Sequence, residues 1–212
     1  LCDELIQSLF YDMFGDPVSN KRGWIKFELN QICDVRDGTH DSPKYQAEGY
    51  PLITSKNIVD GKIDFSNVNY ISYEDYVKIN KRSKVDNGDI IMPMIGTIGN
   101  PVIVENFTDF AIKNVALIKF INNNVNNIYL KELLSSNFLK FTIQKESRGG
   151  TQKFLSLKDI RNLKIPLPPI ELQNQFAEKV QKIEHQKQLL QQSLTLLEDN
   201  FNSLMQKAFR GE

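Results

Sequence analysis

Residues able to do covalent chemistry are few and scattered in this 212-residue chain. It has no Gly-rich phosphate loop followed by Lys, no Gly-x-Ser-x-Gly elbow and no His-Glu-x-x-His. His40 and His185 have no triad partner in the sequence, and the second falls on the outside of a long helical pattern. Gly96-Thr97-Ile98-Gly99 has part of a cofactor loop, but it lacks the full dinucleotide fingerprint and sits between short strands. It reads as a hairpin turn. Asp60-Gly61-Lys62 matches the acid-x-Lys of some nucleases, yet Asp-Gly is the pair that a type I′ turn requires. Cys2 and Cys33 show neither metal nor redox spacing and suit a reducing compartment, so no metal site is expected. The chain reads as carrying no catalytic machinery, metal or cofactor of its own.

Binding chemistry is better supplied. Lys+Arg and Asp+Glu both number 26, so there is no global basic field to coat nucleic acid. Locally the balance shifts. From Phe138 to Lys164 stand Lys140, Lys145, Arg148, Lys153, Lys158, Arg161 and Lys164 against only Glu146 and Asp159. This excess surrounds the loop Arg148-Gly149-Gly150-Thr151-Gln152-Lys153. Lys78, Lys81, Arg82 and Lys84 form a second cluster. Cations beside Gly-rich loops suit phosphate contacts, which supply affinity and register. Arg148, Gln152, Lys56 and Asn57 carry side chains of the kinds that read base edges, Arg on guanine and Asn or Gln on adenine. On charge alone, an ordinary solvated face explains the clusters equally well.

The elements that would position these residues are mostly short. Trp24-Ile25-Lys26-Phe27-Glu28-Leu29 alternates as a strand, and Ile32-Cys33-Asp34-Val35 reads as another before the polar loop Arg36 to Pro43. Tyr50-Pro51-Leu52-Ile53 is a strand leading into Thr54-Ser55-Lys56-Asn57. Asp60-Gly61 joins Ile58-Val59 to Lys62-Ile63 as a hairpin. Ser72 caps a short helix from Tyr73. Strands follow at Ile90 to Met92, Val102 to Val104 and Ala116 to Ile121. Asn127 is expected to cap a helix running through Leu130, Leu133, Leu134, Phe138, Phe141 and Ile143. Ser156 caps a turn, and Leu163 to Pro169 runs extended. The body is therefore a mixed, strand-rich α/β domain.

The last fifth of the chain behaves differently. Phe176, Val180, Ile183, Leu190, Leu194, Leu197, Phe201, Leu204 and Ala208 recur at alternating steps of three and four, broken only by Lys187. That 3.5-residue period keeps a narrow stripe facing a partner helix and predicts a coiled coil. At 1.5 Å per residue the helix would reach roughly 50–60 Å. Its other faces are Gln, Lys, Glu and Asn, so it is no membrane span. There is no signal peptide either, which fits a cytoplasmic protein. The chain also begins with a partial copy of its own end. Leu1 to Phe14 lies without gaps over Leu196 to Phe209, with Leu1, Ser8, Leu9 and Phe14 identical in the two. The organisation predicted is the tail of a preceding spacer helix (1–16), a globular body (17–168) and a long helix (169–212). The repeat predicts one half of a two-fold-like protein, or a half that pairs with itself, and the first residue, Leu rather than Met, predicts that part of the native chain is missing.

Several of these motifs, taken in order, resemble one family. Asp37-Gly38-Thr39-His40, Tyr50-Pro51-Leu52-Ile53, and Gly88-Asp89-Ile90-Ile91 followed by Gly96-Thr97-Ile98-Gly99 are three of them. Arg148 to Ile160, Ile165-Pro166-Leu167-Pro168-Pro169-Ile170-Glu171-Leu172-Gln173 and the closing Ala208-Phe209-Arg210-Gly211-Glu212 complete the set. The order is similar to a target recognition domain and spacer helix in the specificity subunit of type I restriction-modification enzymes. Members usually carry two such halves, whereas this chain holds one. The resemblance implies a non-catalytic subunit that reads half of a split double-stranded DNA target while its helices act as a ruler. It implies methylation subunits and a motor-nuclease subunit as partners, with S-adenosylmethionine, ATP and Mg belonging to them. Thr39, His40, Lys56, Asn57, Thr97 and the run Arg148 to Lys153 are the expected DNA contacts. Helix pairing, as a homodimer for a half-subunit, is expected through Phe176, Val180, Ile183, Leu190, Leu194, Leu197, Phe201 and Leu204. The rivals are a DNA-modifying or DNA-cutting enzyme and a coiled-coil assembly module without a nucleic-acid role.

Overall fold

The computed structural model describes residues 2–95, 99–105, 108–146 and 155–210, the side chains of 143–146 and 208 aside. It opens with α1 (Cys2–Phe14), whose Ile6, Phe10 and Phe14 recur every four residues and are all buried. β1 (Lys26–Glu28), the single turn α2 (Leu29–Ile32) and β2 (Asp34–Asp37) follow. Next come β3 (Tyr50–Ile53), a 3-10 turn at Ser55–Asn57, and the hairpin β4 (Ile58–Val59) and β5 (Lys62–Ile63). Then β6 (Asn69–Ile71) leads into α3 (Tyr73–Ser83). The middle of the chain holds β7 (Ile90–Pro93), β8 (Val102–Ile103), β9 (Ala111–Ile112) and β10 (Val115–Lys119). It closes with α4 (Asn127–Ser135), α5 (Asn137–Glu146), α6 (Leu157–Arg161), β11 (Lys164–Pro166) and α7 (Ile170–Arg210).

The body is layered around an antiparallel four-stranded sheet of order β2-β10-β7-β8. Its central strands are covered on both faces, which explains their unbroken apolar runs. Ile90, Met92, Ala116 and Ile118 face a core shared with α1, α4, α5 and the base of α7. Ile91, Val115 and Leu117 face the opposite way, against Ile53 and Ile112 of a three-stranded sheet ordered β6-β3-β9. The mixed α/β expectation holds.

Local expectations fare unevenly. The Asp60-Gly61 hairpin forms as read, with both residues at positive φ (48° and 73°). Ser72 and Ser156 cap α3 and α6 through backbone N–H groups three residues on. The strand expected at Ile32 to Val35 is displaced instead. A capping box between Glu28 and Gln31 winds Leu29–Ile32 into α2, and the strand starts only at Asp34. The helix expected from Asn127 to Ile143 breaks at Ser136. That residue is extended, and its hydroxyl donates to Leu133 O and accepts from Phe138 N, ending α4 and starting α5. The cap itself is Asn126, not Asn127.

α7 has two regimes. Phe176 and Val180 are buried and Ile183 is partly covered, packed on α1 and α4. Phe14 stacks edge-on to Phe176 (5.2 Å between ring centres), and Asp3 pairs with Lys187 (2.9 Å), so α1 runs antiparallel to α7. Lys187, the break in the apolar stripe, thus marks the end of the covered part. Beyond it Leu190, Leu194, Leu197, Phe201 and Leu204 are 49–66% exposed. α1 therefore packs on the body of its own chain.

Candidate nucleic-acid interface

Strand direction brings most of the expected contact segments to one edge. β2 and β7 both run antiparallel to β10, so Asp37 and Pro93 end beside its start, at Ala116 and Val115. β9 enters β10 through Lys113-Asn114, and β3 runs parallel to β9, so Ile53 ends there too. The loop after β2 crosses this junction. Thr39 bridges Lys113, and Lys113 N donates to Ile53 O at 2.9 Å. Leu155 N donates to Met94 O at 2.7 Å, so the chain re-enters the body at the same edge after residue 154.

Each turn at this edge has a local cause. At Gly38 a Cβ would meet the Ile112 carbonyl oxygen at 2.4 Å, so only glycine lets the chain pass. Asn114 holds a positive φ of 55°, which Asn tolerates better than most residues. Its Oδ1 lies 2.8 Å from His40 Nδ1, while His40 Nε2 lies 2.8 Å from Asp37 Oδ2. Both ring nitrogens therefore face acceptors, an arrangement that only the doubly protonated imidazolium satisfies. Accordingly the bond to Asn114, then that to Asp37, raise the His40 pKa above its ordinary 6.5. Arg82 reaches across from α3, donating to Gly38 O at 2.9 Å and pairing with Asp37 at 3.1 Å.

Between this loop and α3 lies an open cavity of about 440 Å³, lined by residues including Thr39, His40, Ser42, Lys78 and Arg82. Asp41 and Asp75 line it as well, so the described part of the edge is mixed in charge. Such a mixture suits contact with base edges, where carboxylates accept from cytosine and cations donate to guanine.

Thr39 is half-buried and His40 exposed on this edge, and Lys56 is exposed on the turn that follows β3. Asn57 is a correction. It is 7% exposed, and its amide donates to Asp64 O and Asn67 O while accepting from Thr54 N and Oγ1. No donor remains for a base edge; the residue builds the loop that carries Lys56. Thr97 and Arg148, Gly149, Gly150, Thr151, Gln152 and Lys153 lie outside the described residues. The second cation cluster divides, with Arg82 at the loop edge and Lys84 paired with Asp86 at 3.4 Å. Among the described residues no group of His, Cys, Asp and Glu could hold a metal ion.

The type I restriction modification DNA specificity domain profile matches residues 21–199. The chain belongs to this family. It is 31% identical over 170 residues to the EcoBI specificity subunit of Escherichia coli, covering 78% of this chain and 36% of that one. It is 28% identical over 199 residues to the putative MjaX specificity subunit of Methanocaldococcus jannaschii, covering 88% and 45%. Among solved structures, the HsdS subunit from Thermoanaerobacter tengcongensis matches with a TM-score of 0.59 at 18% identity, over 91% of this chain and 45% of that one. A chain from a study of type I R-M complex assembly and conformational transition matches at 0.66 and 20%, over 96% and 49%. The chain thus spans less than half the length of each of these relatives, and the solved structures speak for the fold alone.

Within this specificity-domain fold, Lys113 and Asn114 stand at the edge without having been singled out from the sequence. Lys113-Asn114 between Ile112 and Val115 is a two-residue polar break in an apolar run. Asn's tolerance of positive φ was the signal available there.

Proposed function

We propose that the body reads one half of a split double-stranded DNA target through the edge where β2, β3, β7 and β9 end. α7 serves as the spacer toward the other half. The convergence of sequence-remote contact segments on that one edge carries the reading. It gathers the Asp37 to His40 loop, the Lys56 turn, the residues leading into 96–98 and those following 147–154 on a single face. Phosphate contacts would come from Lys56, Lys113 and Lys153. Base-edge contacts would come from Arg148, Gln152, Arg82 and the threonines Thr39 and Thr97. The whole protein then acts without catalysis of its own, in the cytoplasm. It holds methylation subunits and a motor-nuclease subunit in register, and S-adenosylmethionine, ATP and Mg belong to those subunits. For a chain of this length the uncovered stripe of α7 calls for a partner helix, and a second copy packed antiparallel supplies one.

The test is methylation-site sequencing of a host carrying the complete system, which yields the target. Binding of the assembled complex to that target and to unrelated duplexes follows. Lys56→Ala and Lys113→Ala should weaken both alike, whereas Arg82→Ala should weaken the target more. If none of the three changes alters binding at any salt concentration, the edge is not the interface.

A further inference from the structure

Gln173 sits in the first turn of α7 with no exposed surface, and its side-chain amide is fully engaged. Its Oε1 accepts from Asn126 N at 2.9 Å, and its Nε2 donates to Pro168 O at 2.8 Å and to Asn124 O at 3.2 Å. Asn126 caps α4, accepting from Ile128 N and Tyr129 N, and its Nδ2 donates to Asn174 Oδ1 at 2.9 Å. Tyr129, in that same first turn of α4, donates its hydroxyl to Pro166 O. The link between β11 and α7 is Leu167-Pro168-Pro169, where the proline rings fix φ. An apolar side chain would fill the same space without desolvating an amide. What the amide adds is direction, because hydrogen bonds have angles and apolar contacts do not.

We propose that Gln173 is a positioning residue that fixes the direction in which α7 leaves the body, acting through the cap of α4. The consequence for function rests on reading α7 as a spacer. From Gln173 to Ser203 the helix is about 45 Å long, so a swing of about 10° at its base moves that point by roughly 8 Å. That is about two base-pair steps of 3.4 Å. A ruler between half-targets needs a base stiffer than that.

The experiment measures spin-label distances in the full chain carrying Cys2→Ser, Ser66→Cys and Ser203→Cys, diluted with unlabelled chain so that only pairs within one molecule count. Ser66 and Ser203 are exposed. Cys33 stays unlabelled because burial pushes its thiol up to about 12. The parent should give one narrow distance distribution. Gln173→Met, of similar shape but without the amide, should roughly double its width while helix content is unchanged. Gln173→Glu covers the case in which the Met variant does not fold. At neutral pH its carboxylate would face the carbonyls of Pro168 and Asn124 and broaden the distribution. Acidification restores one donor and should narrow it again, while the parent stays narrow throughout. A distribution in either folded variant as narrow as the parent's at every pH overturns the proposal. No DNA enters this measurement, so its failure leaves the DNA-reading proposal standing, and a failure of DNA binding leaves this one standing.

Discussion

His40 is the residue whose chemistry is most tightly specified at the edge proposed to meet DNA. Held between Asn114 Oδ1 and Asp37 Oδ2, its ring is favoured in the charged form, so its folded pKa lies above the ordinary 6.5. The stabilisation is fully present below pH 6.5 and is lost as pH rises through the raised folded value. The side chain is 63% exposed, so its effect on global stability is small and the local titration is the better measure. An NMR titration of His40 should find a midpoint above 6.5, and Asn114→Ala should lower it. A midpoint at or below 6.5 would mean that the ring is not held between two acceptors. The proposed contacts from Arg148 to Lys153 can be tested for two separate roles. Lys153→Ala should weaken binding to all duplexes alike and flatten its salt dependence. Arg148→Ala or Gln152→Ala should cost about 1–3 kcal/mol at one base pair and little elsewhere. If affinity in the assembled complex is unmoved by all three, that loop does not touch DNA.

At the scale of elements, caps decide where the helices of the body begin. Asn126 and Asn127 are adjacent and chemically identical, yet only Asn126 accepts from the first N–H groups of α4. Asn127 instead donates to Gly88 O, tying α4 to the turn before β7. Asn126→Ala should therefore cost about 1–2 kcal/mol in urea unfolding, and Asn127→Ala clearly less. Equal losses would contradict the assignment of the cap. This pair also shows what the sequence could and could not convey. Elements specified by local chemistry, such as the Asp60-Gly61 hairpin, the Ser72 and Ser156 caps and the long 3.5-residue stripe, were legible residue by residue. So was the strand Tyr50–Ile53, bounded by polar runs. Elements specified by distant partners were not. β6 and β9 are strands because β3 lies between them, and neither Asn69–Ile71 nor Ala111–Ile112 is long enough to show a period. The site follows the same division. Thr39, His40 and Lys56 are singled out by type and motif, and they stand at the proposed edge. Asn57 looked equally suited until its fold-specific bonds to Asp64 and Asn67 were visible, and Asn114 mattered only once β9 and β10 placed it against His40.

At the scale of the whole molecule, α7 is anchored at one end and bare at the other. Its base shares a core with α1 and α4, and the stripe from Leu190 to Leu204 is exposed among the described residues. Apolar seams of this length bury themselves, because roughly 25 cal/mol is gained per Å² of apolar surface removed from water. α1 already occupies the base in an antiparallel sense, closed off by the Asp3–Lys187 pair. The proposed partner helix would therefore lie along the outer part alone, and antiparallel packing of two copies would put the two bodies at opposite ends of the paired region. Ultracentrifugation at tens of micromolar should then find a dimer, held by the five exposed seam positions. Leu197→Asp would place an unpaired carboxylate in that seam and should return the protein to a monomer. The body should melt unchanged, because Leu197 contributes nothing to its core. Leu194→Asp should act alike, whereas a charge at the already exposed Gln192, off the seam, should leave the dimer intact. A wild-type monomer with its helix fully formed would rule out self-pairing. It would leave the seam to a helix from another chain, with the proposed DNA-reading edge untouched by the result.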